Sequence, residues 1–328
     1  MHKRRKLLAL AVLGVAQALP FRASAQRPKL WRVGVLAPTP ITDSPRIWNA
    51  FVHTLRELGY VEGRNLVIEW RSAEGNYERL PALAVELVNL KVDAILASAP
   101  PAISAAKRAT TTIPIVMGVS ADPVGAGFVK TLARPGANVT GSASPVAEYS
   151  PKHLDLLRRV VSRLSRAGVL LNPGNPVHRT ILQNLETAGQ RLAVIVLAAE
   201  ARTPREIEAA FEQHARQRVE ALIVGPDTFF LQQRQQIAAL AAKYRMPTIY
   251  PLQEHVEAGG LMSYGHDVAH NFRLAATYVD RIFRGANPSD LAVEQNSKFE
   301  LVINGKTAKT LGLAIPKDLM LLADKVIE

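Results

Sequence analysis

Trp31-Arg32-Val33-Gly34-Val35-Leu36, then Ser44-Pro45-Arg46-Ile47-Trp48-Asn49-Ala50-Phe51, sets the rhythm from which the fold is read. The first run is short, apolar and β-branched, as a buried strand requires. In the second, Ser44 stands at an N-cap position and Pro45 at the first helical position, where its missing N–H costs nothing. Ile47, Phe51, Leu55 and Leu58 follow at helical spacing, and Gly59 ends the helix.

The alternation continues outward. Asn65–Arg71 places Leu66, Ile68 and Trp70 on one strand face. Leu80, Leu83, Ala84, Leu87 and Val88 form a helical stripe. Val92–Ala97 and Ile113–Met117 read as buried strands with a helix from about Ala102 between them. A second series begins near residue 150, with Ser150-Pro151 as a helix start carrying Leu154, Leu157 and Val161. Strands are expected at Ala167–Leu171, Leu192–Leu197, Ala221–Val224 and Pro247–Tyr250, with helices near 176–190, 204–217 and 229–244. Thr203-Pro204-Arg205-Glu206 is a capping box with Pro at its first helical position. Continuous apolar strands alternating with helices mean parallel sheets covered on both faces. Two series in 328 residues give an α/β chain of two doubly wound lobes.

The N-terminus reads as a processing segment. Lys3-Arg4-Arg5-Lys6 is a basic n-region, Leu7–Leu19 a 13-residue apolar h-region, and Ala23-Ser24-Ala25 a small-x-small cleavage site. The apolar run is shorter than the roughly 20 residues a spanning helix needs. Residues 1–25 are therefore expected to be a signal peptide, and the mature chain to be periplasmic. Arg4-Arg5 alone does not decide between general and twin-arginine export. Removing the five basic residues of this segment takes the formal charge from +12 to +7. The remaining Lys and Arg are scattered along helices without basic–aromatic interleaving, so no nucleic-acid partner is expected. The excess suits a solvated surface or anionic solutes. The absence of Cys removes disulfides, thiolate metal sites and thiol nucleophiles together.

In doubly wound sheets, ligands sit outside the carboxyl ends of the strands, where loops meet helix N-termini. The informative residues are those just after each strand: Pro38-Thr39, Ser98-Ala99-Pro100, Ser120-Ala121-Asp122, Asn172-Pro173, Pro226-Asp227-Thr228 and Pro251-Leu252. The helix that begins around Ala102 offers free N–H groups and a dipole to an anion. Asp122, Asp227 and Asp267 are carboxylates suited to an amine or hydroxyl donors. Asn172 donates and accepts, and Tyr250, Tyr264 and Trp48 offer rings for stacking. Each has a plainer role too: Asp122 and Asp227 as helix caps, Trp48 as packing, Tyr264 as part of a hinge.

Asp122-Pro123-Val124-Gly125-Ala126-Gly127-Phe128-Val129-Lys130, with Arg134-Pro135-Gly136-Ala137-Asn138-Val139-Thr140-Gly141, resembles the signature of a solute-binding family of ABC importers. So do Gly59–Asn65, Glu300–Asn304 and Thr307–Gly312. The resemblance covers nearly all of the mature chain. It implies the type I periplasmic-binding-protein fold, in a family some of whose members bind tryptophan, tyrosine or phenylalanine. It further implies lobe 1 at 26–143 plus 262–298 and lobe 2 at 144–261 plus 299–328. The three-crossing hinge would lie near Ser142–Pro145, Ser263–Gly265 and Ser297–Phe299. The implied partners are a small-molecule ligand and permease subunits, the chain acting as a monomer without a cofactor. The amino-acid-binding members tend to carry Thr where this chain has Pro100, and small polar or acidic residues where it has Leu252 and Gln253. The resemblance therefore carries the family and not the ligand.

The expected ligand-binding residues are Thr39, Ser98, Ala99, Pro100, Ala102, Asp122, Asn172, Asp227, Thr228, Tyr250, Tyr264 and Asp267. Neither a nucleophile elbow nor a phosphate loop nor a dinucleotide fingerprint is present, so no enzyme activity is expected. His266-Asp267-x-x-His270 places two imidazoles four apart, but His255 is the sole further imidazole suggested as a ligand, and no metal is expected. A ligand-sensing receptor domain shares this fold and is the alternative.

Overall fold

The computed structural model describes residues 29–175 and 177–328. The segment expected to be a signal peptide, with its expected cleavage site, lies outside the described residues. The chain forms two sheets. The first contains β1 (Trp31–Ala37), β2 (Leu66–Ser72), β3 (Ala94–Ala97), β4 (Ile115–Met117) and β5 (Val139–Ala143). The second begins with β6 (Arg166–Leu171), β7 (Ile195–Glu200), β8 (Ala221–Val224), β9 (Thr248–Tyr250) and β10 (Met262–His266). β11 (Glu294–Gln295) returns to the first sheet, and β12 (Phe299–Asn304) and β13 (Lys325–Ile327) to the second. The orders are β11-β5-β4-β3-β1-β2 and β13-β12-β10-β9-β8-β6-β7. Pairing is parallel throughout except between β10 and β12.

Each sheet is covered on both faces, as the strand patterns require. Along β1, Val33, Val35 and Ala37 pack with Phe51, Phe272 and Val279, while Leu36 turns to the opposite layer with Leu87, Ile95 and Ile103. In the second sheet, Val169 packs with Leu154 and Ile181, and Leu170 with Phe211 and Ile237. Trp48 is packing: 6% exposed, its ring meets Trp70 and Phe272 edge-on at 5.4 and 5.0 Å.

Several local expectations are corrected. The helix expected to start at Ser150 spans Val146–Val160, with Pro151 inside it. Pro151 has no N–H for the carbonyl of Ala147, four residues back. That carbonyl instead accepts from Ser150 Oγ (2.9 Å) and Asn184 Nδ2 (2.7 Å), which is why the helix runs through. The strand expected at Leu192–Leu197 is Ile195–Glu200, because the preceding helix continues to Leu192 and ends through Ala193 at φ 54°. Ser44 stands at the N-cap without a capping side-chain bond. Thr203 caps Glu206 N at 3.2 Å, and the Glu206 carboxylate returns to Arg202 N at 2.6 Å.

β10 lies in the second sheet, so the middle change of sheet falls after His266, not near residue 262. From there the helix Val268–Phe283 returns to pack on Pro45–Glu57 of the first lobe. The other two changes follow β5 and β11. A buried polar network ties the three together. Asn271 Nδ2 donates to Ser142 Oγ (2.9 Å) and Ser144 Oγ (3.1 Å). Asn296 Nδ2 donates to the carbonyl of Asp267 (3.0 Å) and to Asn271 Oδ1.

Candidate functional site

Loops that follow strands of the two sheets meet. The Tyr77 hydroxyl, in the turn after β2, bonds Thr228 Oγ1, just after β8. Nearby, a Cβ on Gly75 would lie 3.0 Å from Gln232 Nε2. Burial raises the Tyr77 phenol to about 12, offset in part by the Thr228 bond and reinforced by the Asp227 charge, so the hydroxyl stays protonated. The sequence reading missed Tyr77, which follows no apolar run and sits in a short 3-10 turn.

On the second lobe the expected residues come together. Asp227 caps the short helix Thr228–Gln232. Its Oδ1 accepts from Phe229 N (2.8 Å) and Asn172 Nδ2 (3.2 Å), its Oδ2 from Asn175 Nδ2 (3.0 Å). Asn172 Oδ1 in turn accepts from Gly174 N (2.9 Å). The carboxylate is built into the loop and is half-buried at the seam.

On the first lobe, the Thr39 carbonyl accepts from Ser72 Oγ (2.9 Å), joining the loop after β1 to the end of β2. Ser98 and Ala99 are buried just after β3, and Ala99 is the N-cap of the helix Pro100–Ala109. Pro100 and Pro101 bring no N–H, so Ala102 is the first amide donor of that helix. Asp122 is exposed, and its Oδ1 accepts from Gly125 N (2.7 Å) within a turn rather than a helix, so it is not the helix cap expected.

Two expected residues are placed otherwise. Tyr250 is fully buried in the second core, stacked on His255 at 5.0 Å, and is no platform in this conformation. Asp267, 2% exposed, is held by Arg46 (2.8 Å), Arg273 (2.6 Å) and Lys298 (3.8 Å), which leaves its carboxylate neutralised within the hinge. Tyr264 remains partly exposed, its ring stacked on Phe299 at 5.3 Å, and its carbonyl meets His153 Nε2 at 2.6 Å.

Beside the hinge, a cavity of about 420 Å³ separates the start of the helix Pro45–Glu57 from residues 234–258. Asp43, Arg46, Arg234, Gln253, Glu254 and Glu257 are among its lining residues. Burial holds the Glu254 carboxyl above the usual range, with Arg46 acting in the opposite direction. Among the described residues, no three His, Cys, Asp or Glu side chains converge as a metal site. His266 is buried between the rings of Tyr149 and Phe299, at 4.9 and 4.3 Å.

The family model described as ABC transporter substrate binding protein matches residues 33–327. The tyrosine-binding protein of Clostridioides difficile is 25% identical, over 95% of this chain and 94% of its own length. A conserved domain protein of Vibrio cholerae has a similar structure: TM-score 0.84, 27% identity, 91% of this chain and 100% of that one. A Streptococcus pneumoniae domain solved in complex with L-Trp gives TM-score 0.83 at 24% identity, covering 90% and 99%.

Proposed function

The chain belongs to the ABC transporter substrate-binding protein family, and on that premise we propose that it is exported and captures a small solute between its two lobes for an ABC importer. A member of this family serves ABC transport by binding a solute and is not an enzyme. The partners are a small-molecule ligand and the transporter.

The observation that carries the cleft is the meeting of Tyr77 and Thr228, which brings loops after β2 and β8 into contact across the seam. Polar strand-end groups stand on both sides: Thr39, Ser98 and the Ala102 amide on one, Asn172, Asp227 and Thr228 on the other. A solute that touches both sides favours the closed arrangement through its differential affinity for it. The three tied crossings supply the hinge, with the lobes dividing at residues 144, 267 and 297. The tyrosine- and tryptophan-binding relatives support an amino-acid-like ligand. The basic n-region, apolar run and Ala23-Ser24-Ala25 support export to the periplasm by a cleaved signal peptide. Among the described residues no helix is long and apolar enough to cross a membrane.

The test is a thermal-shift screen of the mature protein against amino acids, aromatic acids and nucleosides. A ligand present at a hundred times its Kd stabilises the fold by about 2.7 kcal/mol. Recovery of the bound compound unchanged after long incubation is expected. A screen without a stabilising compound, or one whose hit is consumed catalytically, defeats the reading.

A further inference from the structure

His178 is 2% exposed, and main chain from two different loops engages both of its ring nitrogens. Nδ1 meets the backbone N–H of Asn172 at 2.7 Å, and Nε2 meets the carbonyl of Pro226 at 3.0 Å. An amide N–H only donates and a carbonyl only accepts. The ring is therefore neutral, with its proton on Nε2. Its packing matches that role. A Cβ on Gly225 would lie 3.0 Å from the ring atoms Cε1 and Nε2, so the loop comes this close because residue 225 is glycine. Phe230 stacks on the ring at 6.3 Å.

The two loops tied by this ring are those that follow β6 and β8. Asn172 and Asp227 bond each other there, Asn175 donates to both Pro226 O (3.1 Å) and Asp227 Oδ2 (3.0 Å), and Thr228 reaches Tyr77 across the seam. We propose that His178 is a positioning residue of the binding site, its neutral ring holding the loops after β6 and β8 in the arrangement that presents Asn172, Asp227 and Thr228 to the solute. This rests on the reading that those loops line the ligand cleft.

A pH dependence follows. Protonating Nδ1 sets two donors against each other at Asn172 N, so the brace opens on the β6 side. Burial lowers the pKa of His178 below the ordinary histidine range, against the opposing pull of the Pro226 carbonyl and the Asp227 charge. Asp227, from the β8 loop, is the charged group facing the ring. Arg179, next on the ring's own helix, is exposed, and Gly225 and Phe230 carry no charge. The intact brace is thus the neutral-pH state, and solute affinity weakens in acid.

The experiment uses the mature full-length protein and the variants H178F, H178N and H178Q, with L-tyrosine and L-tryptophan as probes. Amide hydrogen exchange at Asn172 and calorimetric titration across pH are the readouts. In H178F the Asn172 amide is expected to exchange about tenfold faster, the scale of one lost hydrogen bond, and affinity for a bound probe to fall by at least as much. H178N, whose Oδ1 takes the place of Nδ1, keeps Asn172 protected and loses the acid weakening seen in the wild type. H178Q keeps the donor to Pro226 and exposes the Asn172 amide. If H178F does not fold, H178N and H178Q carry the same comparison. Unchanged Asn172 exchange in H178F, or in H178Q where that stands in for it, overturns the proposal. So does lower melting temperature with unaltered affinity and pH profile, the mark of a purely structural side chain. If the wild type binds neither amino acid, the amino-acid reading fails on its own, and the exchange comparison alone decides the brace.

Discussion

Arg46 Nη2 lies 3.0 Å from both carboxylate oxygens of Glu300, so a guanidinium on the first lobe grips a strand of the second beside the hinge. The same nitrogen bonds Asp267 at 2.8 Å. Arg46→Ala leaves the buried Asp267 with Arg273 and the more distant Lys298. Stability is expected to fall by about 1–3 kcal/mol, the cost of stripping a buried charged group of one partner. Arg46→Lys should recover only part of it: the contacts all come from one nitrogen, which an ammonium could supply, but the lysine side chain ends one atom short of Nη2. Urea denaturation of the three proteins checks this.

Tyr77→Phe removes the hydroxyl that meets Thr228 and leaves the ring in place. The lobes' own cores do not use that oxygen. The change should therefore shift the open–closed equilibrium by about 0.5–1.5 kcal/mol toward open, with little change in denaturant stability. An increased radius of gyration in small-angle scattering is the expected sign. An unchanged profile would mean the contact carries no weight in closure.

Asp227 is both a cap and a strand-end carboxylate. Asp227→Ala should lower stability by about 0.5–2 kcal/mol, as lost caps do, and weaken ligand binding as well. Asp227→Asn keeps an oxygen for Phe229 N and should retain most of the stability. Comparing melting temperature and calorimetric affinity in the two variants separates the capping role from the binding role. Full affinity in both would remove Asp227 from the site.

Pro151→Ala restores an N–H opposite a carbonyl that Ser150 and Asn184 already serve. Stability should change by less than about 1 kcal/mol, not the ~3 kcal/mol of an ordinary helix-interior proline. Asn184→Ala, which takes a partner from that carbonyl, should cost about 1 kcal/mol. Thermal melts of both variants test the account.

His153, His214, His255 and His266 are buried, and desolvation pushes each imidazole down to about 4. In the unfolded chain they titrate near ~6.5. The neutral-ring fold is therefore at full strength above ~6.5. It weakens as the pH falls toward 4, because the unfolded state binds protons that the folded state refuses. A loss on the order of several kcal/mol between pH 7 and 4.5 is expected. Urea midpoints that stay flat over that range would contradict it.

The strand–helix alternation was legible from residues alone because a strand buried on both faces must be continuously apolar: Val33–Leu36, Ile95–Ala97 and Ala221–Val224 say so directly. The capping box at Thr203 and the strand-end position of Asp227 were legible too, since caps depend on neighbours a few residues away. β5 was not. Val139-Thr140-Gly141-Ser142-Ala143 is wholly buried yet half polar. Thr140 donates to the Leu291 carbonyl, and Ser142 donates to the Gly118 carbonyl and accepts from Asn271 Nδ2, all groups distant in the sequence. The same holds at the site. Asp267 looked like a free carboxylate until Arg46, 221 residues away, was folded against it, and Tyr77 gained meaning only opposite Thr228. Periodicity and caps are local free energies written in neighbouring residues. Charge neutralisation, lobe contact and the bracing of one loop by another depend on groups that only the tertiary structure brings within hydrogen-bonding distance.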